Sequence, residues 1–492
     1  MSSIYVLFWF DVEDYVTPES DEALEGLLRI FAARQAQATW KLVGEKARTL
    51  EARGRHDILR LLQSQDIGYH TDTHSQHPVL AEYLRDLGWE AGVAEVRRRE
   101  GPGHADLVRL CGPASTFGQA GGSWGPQLDP VLRELGIPLF MDEASHVGLD
   151  GGPFWYGGVL HINRLGDNCT RMPFKRGQQG LEEGTAAFDR LCQRLRPRGG
   201  LVSIYYHPCE WATDAFWDGV NFGRGANPPR AQWQLPPRRT PAQRREGLEL
   251  FSRYLAHVQS RPEVELLTGR QVLNLLPDRA RGRAFGLREI ADLARFDEGR
   301  VTWRRSGDAV VAPSELFALA CGAALVAAGH RDQATHLAPG FLQLSGAGPS
   351  LRLCDTPYGP ARRAASTVTP GTPLPAAALV AAAADALSFT QAHGRLPDAV
   401  WLGSQCLAPA DFLATVAQLQ DPLAAGVGSG ARSPTATPLR SAALDLEGHI
   451  PDRPWGWVIF PEGFDAPGLV ELARLQTWTL KPALLEGQTP TP

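Results

Sequence analysis

The chain has 492 residues, and 49 Lys+Arg stand against 54 Asp+Glu, a formal net charge of −5. With 43% hydrophobic and 21% charged residues it has globular composition, which excludes wholesale disorder, and its slight acidic excess without a basic run makes it a poor binder of nucleic acid. No long apolar stretch is free of charge, so no membrane span is expected, and at about 150 residues per domain the length fits two to four domains, of which we take two.

Residues 4–10 form an apolar run with no basic region before it and with Asp11, Glu13 and Asp14 directly after it. That pattern reads as a buried strand and not as a signal peptide. The seven cysteines are odd in number and none sits in a CxxC pair, which fits a reducing compartment, so a cytoplasmic location is expected. A helix is predicted over 21–35, with Leu24, Leu27, Leu28 and Phe31 on one face. A strand at 38–44, a helix to about 65 and a strand at 66–71 follow, then a helix over 79–99. Further strands are predicted near 109–112, 138–142, 159–164, 201–207 and 263–267, and helices near 127–135, 182–196, 241–258 and 269–276 separate most of them. Repeated βα units predict a parallel sheet, open or closed into a barrel.

In such folds chemistry collects at the carboxyl ends of the strands. Here one strand ends in Asp11-Val12-Glu13-Asp14, another in His70-Thr71-Asp72-Thr73-His74, and a third in His207-Pro208. Two histidines four residues apart, with a carboxylate and an open position for water, make the usual catalytic zinc set, and the same set accepts other divalent ions. Asp11 and Glu13 fall on one face of their strand and Asp14 on the other. Two neighbouring acids repel unless a cation lies between them, so one could bind a metal while the other takes a proton from water. A histidine where His207 stands can protonate a leaving group. The long segment 209–239 holds Trp211, Phe216, Trp217, Phe222 and Trp233. We expect Trp211 and Trp217, with Trp124 from the glycine-rich stretch upstream, to meet a sugar ring; the alternative is that the aromatics pin the loop to the barrel.

Beyond about residue 285 the chain is alanine-rich, as in 376–387, and has no comparable polar strand ends. Ala312-Pro313-Ser314-Glu315-Leu316-Phe317 is echoed by Ala408-Pro409-Ala410-Asp411-Phe412-Leu413 and more weakly by Ala466-Pro467-Gly468-Leu469-Val470. Each Ala-Pro should open a helix, giving two or three degenerate helical repeats, with a loop at 425–440. The expected division is a catalytic barrel over 1–280 and a mainly helical, repeat-containing region over 285–492.

Four motifs in order resemble the polysaccharide deacetylase family, also called the NodB homology domain or carbohydrate esterase family 4. Phe10-Asp11-Val12-Glu13-Asp14-Tyr15 looks like the variant first motif of members that carry DVED. Ala38-Thr39-Trp40-Lys41-Leu42-Val43-Gly44-Glu45 is similar to the ATFFVxGE strand. Ile67-Gly68-Tyr69-His70-Thr71-Asp72-Thr73-His74 resembles the IGNHTxSH metal motif, with His77-Pro78 after it, and Tyr206-His207-Pro208 resembles the last motif. The resemblance spans about residues 4–275. It implies a distorted (β/α) barrel that removes acetyl groups from N-acetylated sugars with a divalent metal, zinc foremost and cobalt, manganese or nickel as alternatives. It further implies Asp11 as base, His207 as acid, Asp142 as the residue that orients the acid, and His70 and His74 as metal ligands. Glu13 is the favoured third ligand, with Asp14 open. The family's third motif usually gives an arginine beside the base; the matching stretch 117–124 has none, and Arg171 is the candidate substitute. The C-terminal repeats weakly resemble pseudomurein-binding repeats, which would make that region polymer-binding.

The expected activity is hydrolysis of an amide C–N bond in an N-acetylated sugar or saccharide precursor. The alternatives are an allantoinase-like amidohydrolase on a non-sugar amide and a degenerate barrel that binds saccharide without chemistry. A carbohydrate or small molecule is thus the expected partner, with no nucleic acid and no membrane.

Overall fold

The computed structural model describes residues 3–142, 146–163, 165–345, 350–419 and 435–485. The sheet is built on β1 (Ile4–Val12), the long apolar run. Around it lie β2 (Thr39–Leu42), β3 (Asp66–Tyr69), β4 (Thr116–Phe117), β5 (Leu139–Met141), β6 (Phe154–Tyr156), β7 (Val159–Ile162), β8 (Cys169–Thr170), β9 (Gly200–Tyr206) and β10 (Val264–Leu267). A last strand, Lys481–Pro482, joins from the far end of the chain, and the order is Lys481–Pro482, β6, β7, β5, β4, β3, β2, β1, β9, β8. Pairing is parallel except at β6, which runs antiparallel to β7 and to Lys481–Pro482. Strand β10 shares an edge of β1 with β2: it pairs with Ile4 to Leu7, and β2 with Trp9 to Val12.

The two faces of β1 explain why its run is apolar throughout. Ile4, Val6, Phe8, Phe10 and Val12 face the helices, in one core with Leu24, Leu28, Phe31 and Phe251. Leu7 and Trp9 face inward, in a second core with Leu139, Met141, Leu160, Ile162, Leu201 and Leu267. Residues from β1, β5, β7, β9 and β10 meet in that inner core, so the sheet curls into an open barrel, the α/β architecture expected. Fully burying one such side chain contributes roughly 1.5–3 kcal/mol.

Several elements differ from the expectations. No strand forms at 109–112. The helix Trp89–Cys111 continues through Pro102, because Val96, Leu107 and Leu110 keep one face in the core, and it stops at Gly112, where φ is +102°. The strand comes four residues later, at β4. The region beyond 285 is carried by helices including Pro313–Ala327, Ala376–His393 and Pro409–Val416. The first and second Ala-Pro helices are each preceded by a short hairpin, Arg304–Ser306 with Ala309–Val311 and Val400–Leu402 with Gln405–Leu407. The third, Pro467–Gln476, packs into the first core. Of the loop expected at 425–440, residues 425–434 lie outside the described residues, and Ala436–Pro438 is a strand paired with Pro373–Pro375.

The first core draws on both sides of the boundary expected near 280. Leu446, Ile450, Trp455, Ile459, Phe460, Leu469, Val470 and Leu480 belong to it, while Phe285, Leu316, Phe317, Leu387 and Phe412 form a separate core. Among the described residues no helix is long and apolar enough to cross a membrane.

Candidate active site

Because the strands are parallel, their carboxyl ends open on one rim. Asp11 ends the inward column of β1, His70 follows β3, Gln119 follows β4, Asp142 follows β5 and His207 follows β9. These residues line one cavity of about 480 Å³ together with Glu13, His74, Gly121, Gly122, Tyr205, Phe216, Asp218, Pro454 and Trp457.

Glu13 Oε2 lies 2.9 Å from His74 Nε2 and 3.9 Å from His70 Nε2. His70 Nδ1 lies 2.8 Å from the Gly118 carbonyl oxygen, which can only accept, so the ring proton sits on Nδ1. His74 Nδ1 lies 2.6 Å from Ser75 Oγ, whose own proton goes to Asp218 Oδ2 at 3.2 Å, so here too Nδ1 donates. Both Nε2 lone pairs therefore converge on a carboxylate oxygen, and His74 Nε2 is buried without a hydrogen bond. A divalent cation satisfies that convergence, as does a proton on His74 Nε2 shared with Glu13. Glu13, His70 and His74 form a group whose donor atoms lie within 4.8 Å of one another, two imidazoles and a carboxylate, each imidazole oriented through its other nitrogen. Burial pushes His70 down to about 3, which keeps it neutral. Burial opposes charge on His74 as well, but Glu13 beside it pulls its pKa above the ordinary value.

Asp14 is not in this group. Its Oδ1 accepts the backbone N–H groups of Val16 and Thr17, both at 2.9 Å, at the start of helix Pro18–Ala33. Alternation had set it on the opposite face from Asp11 and Glu13, and there it serves the backbone.

The cation beside Asp11 is Lys41 and not Arg171. Lys41 is opposite Asp11 in the β1–β2 register. Its Nζ lies 2.8 Å from Asp11 Oδ1, donates to the Met141 carbonyl at 2.6 Å and sits 4.1 Å above the Trp9 ring. A Cβ on Gly118 would stand 2.3 Å from Nζ, so a residue without a side chain leaves the room. Burial works against the Asp11 carboxylate, yet Lys41 holds its pKa below the ordinary range. The sequence carried the signal: an ammonium in the middle of a buried parallel strand needs a partner on the next strand.

Arg171 instead binds Glu210, with Nη2 2.8 and 2.6 Å from the two carboxylate oxygens. Glu210 Oε1 in turn lies 3.1 Å from His207 Nδ1 and accepts the His207 backbone N–H, also at 3.1 Å. The carboxylate that orients His207 is thus Glu210, three residues on in the next helical turn. Asp142 accepts the Gln119 N–H at 2.9 Å and lies 3.9 Å from Lys41. His207 Nε2 faces Asp11 Oδ2 across 3.7 Å. Burial lowers the His207 pKa, but the Glu210 bond, with Glu13 and Asp11 nearby, raises it to about 9.

The three tryptophans expected at the sugar do not reach the cavity. Trp211 is fully buried and stacks on Phe174 at 4.0 Å. Trp217 is buried behind His74, with ring centroids 5.6 Å apart. Trp124 is buried against His146. They pin loops to the barrel, and the aromatic rings that line the cavity are Tyr205, Phe216 and Trp457. Trp457 had no signal in the sequence, because its place depends on the chain returning from the C-terminal region.

Fold and site together define an open α/β barrel protein with a two-histidine, one-carboxylate centre at its carboxyl rim. No family model matches the chain, and no curated protein does. Among solved structures the chain is similar to a putative polysaccharide deacetylase from Mycobacterium smegmatis, with 12% identity and a TM-score of 0.36, over 56% of this chain and 90% of that one. It is also similar to an allantoinase, with 15% identity and a TM-score of 0.37, over 55% of this chain and 90% of that one. A 4-alpha-glucanotransferase from Thermococcus litoralis matches with 12% identity and a TM-score of 0.39, over 57% of this chain and 41% of that one.

Proposed function

We propose that this chain is a metal-dependent hydrolase of an amide C–N bond, and that it deacetylates an N-acetylated sugar or saccharide precursor. The observation that carries the reading is the convergence of two imidazole lone pairs and the Glu13 carboxylate, beside a Lys41-held Asp11 and a Glu210-held His207. A divalent ion held by Glu13, His70 and His74 would polarise a carbonyl oxygen and acidify water, with zinc the first choice for this donor set.

The protein's own groups divide the remaining work. Lys41 fixes Asp11 through Oδ1, which leaves Oδ2 toward His207 and the cavity. Asp11 takes the proton of the attacking water as general base. His207 keeps its proton up to about pH 9 and delivers it to the departing nitrogen, while Glu210 holds the ring. Asp142, through the Gln119 backbone N–H, fixes the loop that follows β4.

The test pairs metal analysis with a screen of N-acetylated sugars for released acetate. Purified protein should hold about one divalent ion per chain and release acetate. His70→Ala and His74→Ala should each lose both the ion and the activity while keeping the fold by circular dichroism. Full metal occupancy in either variant removes the assignment.

A further inference from the structure

The cavity has a wall that the βα loops do not supply. Residues 454–460 cross the rim and are tied down on both sides. The N–H groups of Arg224 and Gly225 donate to the carbonyls of Val458 (2.8 Å) and Ile459 (2.9 Å), and Trp455 Nε1 donates to the Trp124 carbonyl at 3.1 Å. Ile459 is fully buried over Gly121, whose φ is +56° and whose added Cβ would stand 2.5 Å from Ile459 Cδ1. On this fixed segment Trp457 stays 41% exposed and lines the cavity. Its Nε1 donates to Asp218 Oδ2 at 2.8 Å, and Phe216 stands edge-on at 6.1 Å.

On the same cavity lies Gln119, only 3% exposed, with neither Oε1 nor Nε2 in a hydrogen bond. A buried carboxamide with donor and acceptor both unmade is costly, and such a group in a cleft is accounted for when a ligand completes it. Gln119 Nε2 can donate to an acetamido carbonyl while Oε1 accepts a neighbouring sugar hydroxyl, and a protonated free amine offers Nε2 no acceptor in place of that carbonyl. An exposed indole held rigid offers an apolar face to the C–H face of a pyranose at little entropic cost.

Resting on the hydrolase reading above, we propose that Gln119 and Trp457 determine specificity: the Gln119 carboxamide binds the acetamido group of an N-acetylated pyranose, and Trp457, with Phe216 beside it, carries the sugar ring. The part of the chain beyond 285 thereby completes the substrate site.

The experiment uses the full-length, metal-loaded protein with N-acetylglucosamine, N,N′-diacetylchitobiose and glucosamine. Binding is read by tryptophan fluorescence and acetate release is read separately. Wild type should bind the acetylated probes better than glucosamine. Gln119→Leu should bind them about tenfold to a hundredfold more weakly, with glucosamine unchanged. It should also melt about 1–3 °C higher, because an unsatisfied buried amide is gone. Trp457→Ala should weaken all sugars about tenfold, and Trp457→Phe should keep most of the binding; metal content should not move in any of them. Wild-type affinity in both Gln119→Leu and Trp457→Ala, or no binding of any acetylated probe by the wild type, overturns the proposal. Sugar bound without acetate release leaves this pair standing and removes the hydrolase reading. Acetate released with unchanged KM in both variants does the reverse.

Discussion

Lys41 and Asp11 are both buried, and a buried pair is worth most when one partner is taken away. Lys41→Met leaves the buried Asp11 carboxylate without its nearest cation, which should cost about 3–5 kcal/mol in denaturant unfolding. Adding Asp11→Asn to it should restore much of that stability, and an additive double mutant would mean that the two groups do not couple. At His207 the question is one of sign. Burial lowers its pKa, and the Glu210 bond together with the Glu13 and Asp11 charges raises it to about 9, so the protonated form persists at neutral pH and is lost as pH rises through that value. Glu210→Gln removes the strongest support of the imidazolium. The alkaline limb of the kcat/KM profile should therefore move to lower pH, with metal content unchanged. A limb that stays in place would assign that ionisation to another group.

At the scale of elements, the turn between β3 and the next helix places both imidazoles, and it does so with left-handed backbone at two residues that are not glycine, Thr71 (φ +61°) and His74 (φ +55°). A β-branched residue there stores roughly 1–3 kcal/mol, while Thr71 Oγ1 accepts the His74 N–H at 3.2 Å and fixes the turn. Thr71→Gly should leave the metal-free protein as stable or more so and weaken metal affinity severalfold, measured by calorimetry with and without the ion. A less stable metal-free variant would mean that the turn carries no such strain. Elements of this kind were legible in sequence, because period-two alternation and strand-end polarity are local: they separate Glu13 from Asp14 and set His70, His74 and His207 on strand ends that the parallel sheet brings to one rim. Lys41 is equally local, a lone ammonium between Trp40 and Leu42 in a buried strand. The tryptophans failed for another reason. Composition shows that a loop is aromatic but not which way its rings turn, and Trp211 and Trp217 turn inward, Trp211 stacked on Phe174 and Trp217 packed at a tilt against Tyr15. The strand expected at 109–112 fails because a short apolar stretch such as Leu110-Cys111 fits a helix end as well as a strand.

The whole molecule is bound together at its far end. After the repeats, residues 446–482 return to the barrel, place Leu446, Ile450, Trp455, Ile459, Phe460 and Leu469 in the first core, and finish as an edge strand on β6. Lys481 sits at the junction, with Nζ 2.7 Å from Asp278 beside the barrel and 2.7 Å from Glu315 in helix Pro313–Ala327. Glu315 also accepts the Ala312 N–H at 2.8 Å, so the acid that opens the first repeat helix is the one that anchors the barrel's last strand. The division expected at 280 would leave a complete barrel in a chain cut near 285, since every strand-end motif lies before residue 210. The packing argues otherwise. Cutting at 284 strips these apolar side chains from the first core and opens the edge of β6, and an uncovered apolar face with an open strand edge favours aggregation. The fragment 1–284 should therefore be poorly soluble, bind a hydrophobic dye and melt well below the full chain, although Glu13, His70 and His74 all remain in it. Co-expression with the segment 446–492 should recover solubility and lower dye binding, because that segment supplies the missing contacts without the repeats. A soluble 1–284 fragment with full-length melting temperature and wild-type sugar affinity would show that the returning segment only decorates the barrel. Recovery in trans would show that it is part of the barrel itself.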